Sequence, residues 1–464
     1  MSTKSKDQTT SEPYKILWYS LPNLMDTSNG AAISNKHILE CLEAQGFRIA
    51  VLTATCYDDD SGAIEFAKIE QAMGEPAQGF YQFKLNNIDY FVAKTASKRL
   101  KEIKADEQTT VWSLFVKLLE DFQPDLMMGF CPDLFSLSLR REAKARGIAT
   151  VYTVCNASHD NFSFPDCDAV LTNSLAISAY YNRRQDRHVK VKPFGIVIDP
   201  NKVLAPQDPR NRRYVSLINP TPYKGIAIFI GLMRAFFIKY PNNPLRFLIV
   251  KSRGNYESIM KQLHFADGTK LTDHPDFKAL ISRLDVAEHT TNIKQVYALS
   301  YAVTCPSLWF EAWGMVATEA NMSGVPVIAH NLGGLPEAIG RQYIDKGNNN
   351  YLVDDSALGG VLVEPPKSTM DDNTCIPTDE ELAPYLAALE MVLTHDYSKQ
   401  CHKSAQVNAP ERNLERLKNY IMPLMKRSRK HKTPYSNSFF LSESYESEKR
   451  ERLKAQKAAL QTDS

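Results

Sequence analysis

The stretch Ser307–Gly340 most constrains what this chain can fold into, because short strand and helix patterns alternate along it and just before it. Tyr301–Cys305 is apolar and rich in β-branched residues, which predicts a buried strand. A helical pattern opens at Gly314 and ends before Gly324, a residue type that commonly terminates helices. Val325–Ala329 predicts a second buried strand, and a further short helix follows a pair of glycines. Such alternation is typical of an α/β domain.

Two carboxylates frame the first of these helices. Glu311 lies in the loop before it and Glu319 lies within it, and the same loop carries Trp309 and Trp313. A glutamate near a helix N-terminus is usually a surface residue that interacts favourably with the helix dipole. The glycine hinge and the two tryptophans in this loop favour a functional role, so the residues alone leave both interpretations open.

The segment EAWGMVATE is similar to the E-x7-E motif of retaining glycosyltransferases of the GT-B fold, in particular glycosyltransferase family 4. The similarity continues through PVIA and GGLPE. This resemblance implies that Glu319 binds the ribose of a nucleotide-sugar donor and that Glu311 contacts the donor sugar. It also implies that backbone amides near Gly314, Gly333 and Gly334 surround the sugar and the phosphates.

Length and composition set wider limits. A chain of 464 residues is suited to two domains plus extensions. Its net charge of +2 gives no global field that would favour nucleic acid. The eight cysteines occur singly, without metal-site spacing, which predicts reduced thiols and a cytoplasmic location. The N-terminus lacks the apolar core of a signal peptide, and the longest apolar stretch is too short to span a bilayer.

The first half of the chain begins with a strand–helix–strand pattern. Lys15–Ser20 and Arg48–Thr53 predict strands, and Ala31–Gln45 predicts the helix between them. Such units cross over right-handedly into parallel sheets. The dinucleotide fingerprint G-x-G-x-x-G is absent from this unit. The segment that follows is less regular, apart from a predicted hairpin of Phe80–Leu85 and Ile88–Lys94.

Two loops of this half are candidate site loops. Asn29, Gly30 and Ala31 form a weak anion-nest candidate, for which a plain tight turn is the alternative. The family resemblance implies that Gly30 and Ala31 face the donor phosphates. After the strand matching residues 149–154, many family 4 members have a histidine, whereas this chain has Asn156 and, slightly later, His159. These two are predicted on the acceptor-sugar side, although a lone loop histidine is more often a solvated side chain.

Lys224 is a further candidate site residue, because it lies between a predicted strand and a helix that starts near Gly225. A helix N-terminus favours anions, and a lysine there adds a mobile positive charge. The pair matches the R…KG motif of family 4, which implies a catalytic role for Lys224 at the donor phosphates. The arginine position of that motif is Asn219, so the predicted clamp has one cation from this motif. Arg253 is a candidate for the second cation, and a solvated loop arginine is the more common interpretation.

The predicted fold class is α/β, with two Rossmann-like doubly wound domains of the GT-B type facing each other across a cleft. The predicted organisation is a disordered N-terminus (1–13), an acceptor-side domain (14–194), a linker (195–213), a nucleotide-sugar-binding domain (214–410), a helix returning to the first domain (411–425), and a basic and polar disordered tail (426–464). The basic run Lys426–Lys432 leaves two interpretations open: contact with an anionic membrane surface, or a solvated tail.

The predicted activity is transfer of a hexosyl group from a nucleotide-diphosphate sugar to a saccharide or lipid-linked acceptor, with retention implied by the resemblance. Neither a metal ion nor another cofactor is expected, because Lys224 and backbone amides can stabilise the leaving diphosphate. The predicted location is cytoplasmic, including the cytoplasmic face of a membrane. Two alternatives remain: an epimerase or phosphorylase of the same fold, and a nucleotide-sugar-binding protein without activity.

Overall fold

The computed structural model describes residues 12–159, 162–183, 189–206, 208–252, 254–347 and 350–432. Most of the two predicted disordered ends (1–11 and 433–464) and Arg253 lie outside these ranges. The prediction of disorder is wrong for Glu12 and Pro13, because their carbonyl oxygens accept hydrogen bonds from Arg429 at 2.8 and 2.9 Å.

The first α/β unit is built on a sheet that has eight strands within the described residues. In chain order they are β1 (Lys15–Tyr19), β2 (Arg48–Ala54), β3 (Phe80–Leu85), β4 (Ile88–Ala93), β5 (Leu126–Gly129), β6 (Ala149–Val154), β7 (Ala169–Thr172) and β8 (Val191–Pro193). Their spatial order is β3-β4-β2-β1-β5-β6-β7-β8, and all neighbours are parallel except the β3–β4 hairpin. The predicted hairpin is therefore confirmed.

Helices cover both faces of this sheet. They are α1 (Gly30–Glu43), α2 (Ile64–Met73), α3 (Ala105–Asp121), α4 (Leu134–Ala145) and α5 (Leu175–Asn182). Apolar side chains of α1 and α2 share one buried cluster with the strands, and those of α3 and α4 share another. Helix α2 lies in the segment described as less regular from sequence, where only Phe66 of the helix is buried. Two-sided burial explains why the central strands read as continuous apolar runs.

The second α/β unit follows a connecting segment that contains α6 (Pro200–Val203). Its parallel sheet has the order β11-β10-β9-β12-β13-β16. The strands are β9 (Tyr214–Ile218), β10 (Arg246–Val250), β11 (Leu284–Ala287), β12 (Ser300–Cys305), β13 (Val327–His330) and β16 (Gly360–Val363). An antiparallel pair, β14 (Gln342–Asp345) and β15 (Tyr351–Asp354), stands apart from this sheet.

The helices of this unit again cover both faces of its sheet. They are α7 (Ile226–Lys239), α8 (Tyr256–Gln262), α9 (Phe277–Ile281), α10 (Ile293–Leu299), α11 (Met315–Met322), α12 (Leu335–Ala338), α13 (Lys367–Asp371), α14 (Asp379–Thr394) and α15 (Ser398–Val407). Helices α7 and α14 pack in one buried cluster with the strands, and α11 and α12 pack in another. The predicted fold class, two Rossmann-like α/β units, is confirmed.

The last described helix, α16 (Pro410–His431), packs on the first sheet although it follows the second unit in the chain. Leu414, Leu417, Ile421 and Met425 recur at helical spacing and lie in the buried cluster formed with α1. The predicted start of a disordered tail at residue 426 is wrong, because the helix continues to His431.

The basic end of α16 is held by acidic residues of the first unit. Arg429 pairs with Asp125 at 2.5 Å, and Arg427 pairs with Asp168. Lys432 also reaches Asp125, at 3.3 Å. These ion pairs hold the basic run against the first unit. Within the part of the chain that the structure describes, no helix combines the length and the apolar character that crossing a bilayer requires.

Candidate functional site

Sheet order brings the predicted site residues together. Strands β9, β12 and β13 are neighbours in the second sheet and run parallel. Their carboxyl ends therefore meet at one edge, where the loops 219–225, 306–314 and 331–334 begin. This edge is where ligands bind in open parallel α/β sheets.

The side chains of Lys224 and Glu311 meet at this edge. The Lys224 Nζ donates to Glu311 Oε1, forming an ion pair between the loop after β9 and the loop after β12. The Lys224 side chain is 35% exposed and that of Glu311 is 15% exposed. The ammonium thus remains open to solvent at the cleft edge, while the carboxylate is largely enclosed.

Two residues absent from the predicted site hold Glu311 in place. Ser307 donates from Oγ to Glu311 Oε1 at 2.8 Å. His330, at the end of β13, is fully buried and binds the Ser307 carbonyl through Nδ1 at 2.9 Å and the Tyr385 hydroxyl through Nε2 at 2.5 Å. Burial lowers the pKa of His330 to about 4, so it is neutral at physiological pH. Sequence gave no signal for His330 beyond its place at a strand end.

The glycines of the predicted donor site allow the loops to approach closely. Gly334 donates its N–H to the Glu311 carbonyl at 2.8 Å. A Cβ on Gly333 would lie 2.6 Å from that same carbonyl oxygen, and Gly333 has a φ of +59°. Gly314 has a φ of +107°, and a Cβ there would lie 2.5 Å from Leu335. Larger residues would separate the loops that hold Glu311.

Glu319 lies within α11 and is hydrogen-bonded to a buried tyrosine that the sequence did not single out. The Tyr297 hydroxyl donates to Glu319 Oε2 at 2.6 Å, and Tyr297 is fully buried. Burial raises the pKa of Glu319, and the Tyr297 hydrogen bond opposes that rise. Within the described residues Oε1 has no hydrogen-bond partner, so one carboxylate oxygen remains for a ligand.

Asn219 occupies the position of the missing arginine. It has a left-handed backbone conformation with a φ of 64°, and its N–H donates to the Val250 carbonyl at 3.0 Å. Its Oδ1 is buried and has no hydrogen-bond partner among the described residues. A buried unsatisfied oxygen at the start of the loop that carries Lys224 is a position where a ligand hydroxyl would be stabilised.

The first unit approaches this site through the start of α1. A Cβ on Gly30 would lie 3.5 Å from the sulfur of Met315, the first residue of α11. Asn29 caps α1, and its Oδ1 accepts from the Ala31 N–H at 2.8 Å. The Ala31 N–H is therefore bonded to the cap, and Gly30 lies beside α11; that these two residues face the donor phosphates stays a prediction.

Asn156 and His159 lie in the first unit on the rim of an aromatic cluster. The Asn156 Oδ1 accepts from the N–H and hydroxyl of Ser158, at 3.1 and 2.7 Å. His159 Nε2 lies 3.0 Å from the Tyr152 hydroxyl, so it is a bonded side chain rather than a solvated one. The buried cluster that contains Tyr152 also contains Ala312, next to Glu311, so this rim borders the Glu311 loop.

Glu337 joins the two units and was not among the predicted site residues. It belongs to α12, yet its Oε2 accepts from the Leu175 N–H at 2.9 Å and its Oε1 from the Ala176 N–H at 3.0 Å, at the start of α5. Burial raises the pKa of Glu337 to about 7, against the opposing effect of the two amides and of Arg416. Its place within GGLPE was the only sequence signal.

A metal ion would need a group of suitable side chains among the described residues. There, no group of three or more His, Cys, Asp or Glu side chains is arranged to hold a metal ion. All eight cysteines are free thiols.

Comparison with known proteins supports the resemblance to glycosyltransferases, though not to family 4 in particular. Residues 266–358, which contain Glu311, Glu319 and the paired glycines, match the family model described as glycosyl transferases group 1. Two curated relatives match part of the chain. Spore coat protein SA of Bacillus subtilis is 29% identical over 134 residues, which cover 28% of this chain and 32% of that protein. D-inositol 3-phosphate glycosyltransferase of Corynebacterium glutamicum is 29% identical over 140 residues, 29% of each chain.

Solved structures are similar over nearly the whole fold. Sucrose-phosphate synthase from Thermosynechococcus elongatus has a TM-score of 0.60 at 14% identity, covering 89% of this chain and 99% of its own. HepE from Anabaena, in complex with UDP-glucose, has a TM-score of 0.57 at 15% identity, covering 88% of this chain and 99% of its own. At these identities the likeness establishes the GT-B fold. The curated relatives, by contrast, are matched over less than a third of their own lengths.

Proposed function

We propose that this protein is a retaining glycosyltransferase that moves a hexosyl group from a nucleotide-diphosphate sugar to a saccharide or lipid-linked acceptor. The observation that carries the proposal is the Lys224–Glu311 ion pair at the joint carboxyl edge of β9 and β12. Glu311 lies within the segment that matches the glycosyl transferases group 1 family model. Retention rests on the similarity to family 4.

The donor is proposed to bind against the second unit. Glu319 has one oxygen available for ribose hydroxyls, and the Asn219 Oδ1 can accept from a further hydroxyl. Gly225 and Gly314 are the N-cap residues of α7 and α11, and neither helix has a side-chain cap within the described residues. Uncapped helix N-termini favour phosphate groups. HepE, which shares the fold, was solved in complex with UDP-glucose.

The chemistry requires stabilisation of the diphosphate as it leaves. Lys224 places a positive charge beside the proposed phosphate position, and it is fixed there by Glu311. The amides at the starts of α7 and α11 add fixed dipoles, which are more effective once water is excluded from the cleft. In this scheme the reaction runs without a metal ion, so activity is expected to persist in excess EDTA.

The acceptor is proposed to bind between the units, on the side that carries Gly30 and the rim of Asn156 and His159. The free thiols of all eight cysteines support a cytoplasmic location, where thiols stay reduced. A lipid-linked acceptor would place the protein at the cytoplasmic face of a membrane.

The decisive experiment has two stages. A thermal-shift screen with UDP, GDP, ADP and their hexose conjugates identifies the donor, because a ligand that binds the native state raises its apparent stability. The donor is then incubated with an acceptor panel, and the anomeric configuration of the product is read by NMR. Transfer with retention is expected. Conversion of the donor without an acceptor would indicate an epimerase, and binding without turnover would indicate a non-catalytic binding protein.

A further inference from the structure

Helix α5 of the first unit is held at its N-terminus by the second unit. The first turn of a helix leaves its N–H groups without intrahelical partners. Ser174 caps only the Ile177 N–H, through its Oγ at 3.1 Å. The Leu175 and Ala176 N–H groups are instead satisfied by the two carboxylate oxygens of Glu337. The capping of α5 is therefore complete only while the two units are in contact.

A second contact to the same helix comes from the loop that carries Glu311. The ring of Tyr180, on α5, lies 5.5 Å from that of Phe310, centroid to centroid. Phe310 immediately precedes Glu311, and Ala312 immediately follows it and is buried in the cluster with Tyr181 of α5. The backbone on both sides of Glu311 thus packs against the first unit.

Glu337 is rigidly connected to that loop. Gly334, at the start of α12, donates to the Glu311 carbonyl. Thr318 of α11 donates to the Ala338 carbonyl at 2.8 Å, and Asn408 donates to the Glu337 carbonyl at 3.0 Å. A displacement of α5 relative to α12 would therefore be transmitted to the Glu311 loop.

We propose that Glu337 is a positioning residue for sugar transfer, which holds the cleft closed by capping α5 and so keeps Glu311 facing both substrates. The inference rests on the proposed function, because it assigns closure a role in that reaction. Opening the cleft would break the two hydrogen bonds that Glu337 accepts and leave two amides of α5 to be solvated. Such bonds make the closed arrangement the favoured one, while the donor surface on the second unit stays intact in either arrangement.

Two variants and one matched control test this. Glu337→Ala removes both acceptors, and Glu337→Gln retains one carbonyl oxygen while presenting an amide to the second N–H. Glu380→Ala is the control, because Glu380 is an exposed glutamate in the first turn of α14. The measurements are kcat, the dissociation constant of the donor nucleotide, and the radius of gyration of the free protein by small-angle X-ray scattering.

Glu337→Ala is expected to lower kcat by about tenfold, the equivalent of about one net hydrogen bond, and to enlarge the radius of gyration. The nucleotide dissociation constant should change by less than about threefold, because it reports binding to the second unit. Glu337→Gln should recover part of the lost kcat, and Glu380→Ala should match wild type. An unchanged kcat or an unchanged radius in Glu337→Ala overturns the proposal.

Tyr180→Leu provides an independent route if Glu337→Ala fails to fold. It removes the second contact to α5 and should enlarge the radius and lower kcat in the same direction, and a wild-type radius and kcat would refute the proposal. Failure of the proposed function gives a different result from failure of this inference. The wild-type protein would then transfer no sugar, but the radii of gyration of wild type and variants could still be compared. Wild-type transfer together with wild-type behaviour of both variants would refute only the role of closure.

Discussion

Replacing Lys224 with methionine should separate the catalytic effect of its charge from its effect on stability. Methionine keeps much of the length of the side chain and removes the ammonium. Two unit charges 4 Å apart interact by about 4 kcal/mol at an effective dielectric constant of about 20. The 35% exposure of Lys224 allows water to screen part of this interaction. Loss of a positioned charge at a developing oxyanion costs about 2 to 4 kcal/mol in the transition state, and Asn219 supplies no second charge.

Lys224→Met is therefore expected to lower kcat/KM by about 30- to 1000-fold, measured with the donor identified by thermal shift. It should also destabilise the fold by about 1 kcal/mol, because the Glu311 carboxylate, only 15% exposed, loses its partner. Adding Glu311→Gln removes the unpaired charge and should restore most of the melting temperature. The double variant should nevertheless stay inactive, because the positive charge is still absent.

Wild-type kcat/KM in Lys224→Met would refute the assignment and leave Lys224 as an ordinary residue at a helix start. Recovery of both stability and activity in the double variant would also contradict it, because the ion pair would then serve structure alone. Arg234→Met is a suitable control. Arg234 pairs with Asp379 at 2.9 Å on the same unit but lies away from the edge that carries Lys224, so its loss should leave kcat/KM unchanged.

Four further predictions follow from the same contacts. Glu319→Ala should mainly raise the donor KM, because ribose contacts do not change during reaction, whereas Glu311→Ala should mainly lower kcat; the reverse pattern in steady-state kinetics would contradict both roles. Leu417→Ala should destabilise the protein by about 2 to 5 kcal/mol in urea unfolding, because this fully buried side chain of α16 packs in the first unit. Burial raises the pKa of Glu337 from 4.5 to about 7, so between these pH values the folded state keeps a proton that the unfolded state releases. The stabilisation from this protonation is fully present below pH 4.5 and is lost as pH rises through 7. Glu337→Gln should remove the resulting decrease of Tm between pH 4.5 and 7. If Lys426–Lys432 contacts membranes, vesicles containing phosphatidylserine should retain the protein at low salt and release it at high salt, and equal retention by neutral vesicles would contradict this.

Much of the fold was predictable because its signals are local. Apolar runs bounded by glycine and proline marked the strands, and the parallel order followed from strand–helix alternation. Lys224 and Glu311 could be placed at one site because β9 and β12 each end just before them. The sequence does not specify that β9 and β12 are neighbours, and it is this adjacency that brings the side chains of Lys224 and Glu311 into contact.

The remaining features depend on contacts between distant segments. Glu337 caps a helix 161 residues earlier in the chain, and nothing in its local pattern names that partner. From the sequence, Tyr297 is an ordinary core residue, and only the structure shows that its hydroxyl contacts Glu319 of α11. Arg427 and Arg429 pair with Asp168 and Asp125, which lie far away in the chain, in the first unit. The Asn29 cap of α1 is a local contact of a residue type common at helix N-caps, although the sequence was interpreted there only as an anion nest or a tight turn.

The ion pair also constrains how Glu311 would act in the proposed reaction. Its carboxylate is held by Lys224 and Ser307 and its carbonyl by Gly334, so it is a fixed negative charge rather than a mobile base. A diphosphate entering beside Lys224 would compete for the ammonium and leave Glu311 less neutralised. The sugar ring gains positive charge as its bond to phosphate breaks, at the moment when Glu311 has lost that neutralisation. The two charges of the resting pair would thus each stabilise one half of the separating donor, which gives the pair an interaction that is stronger in the transition state than in the ground state.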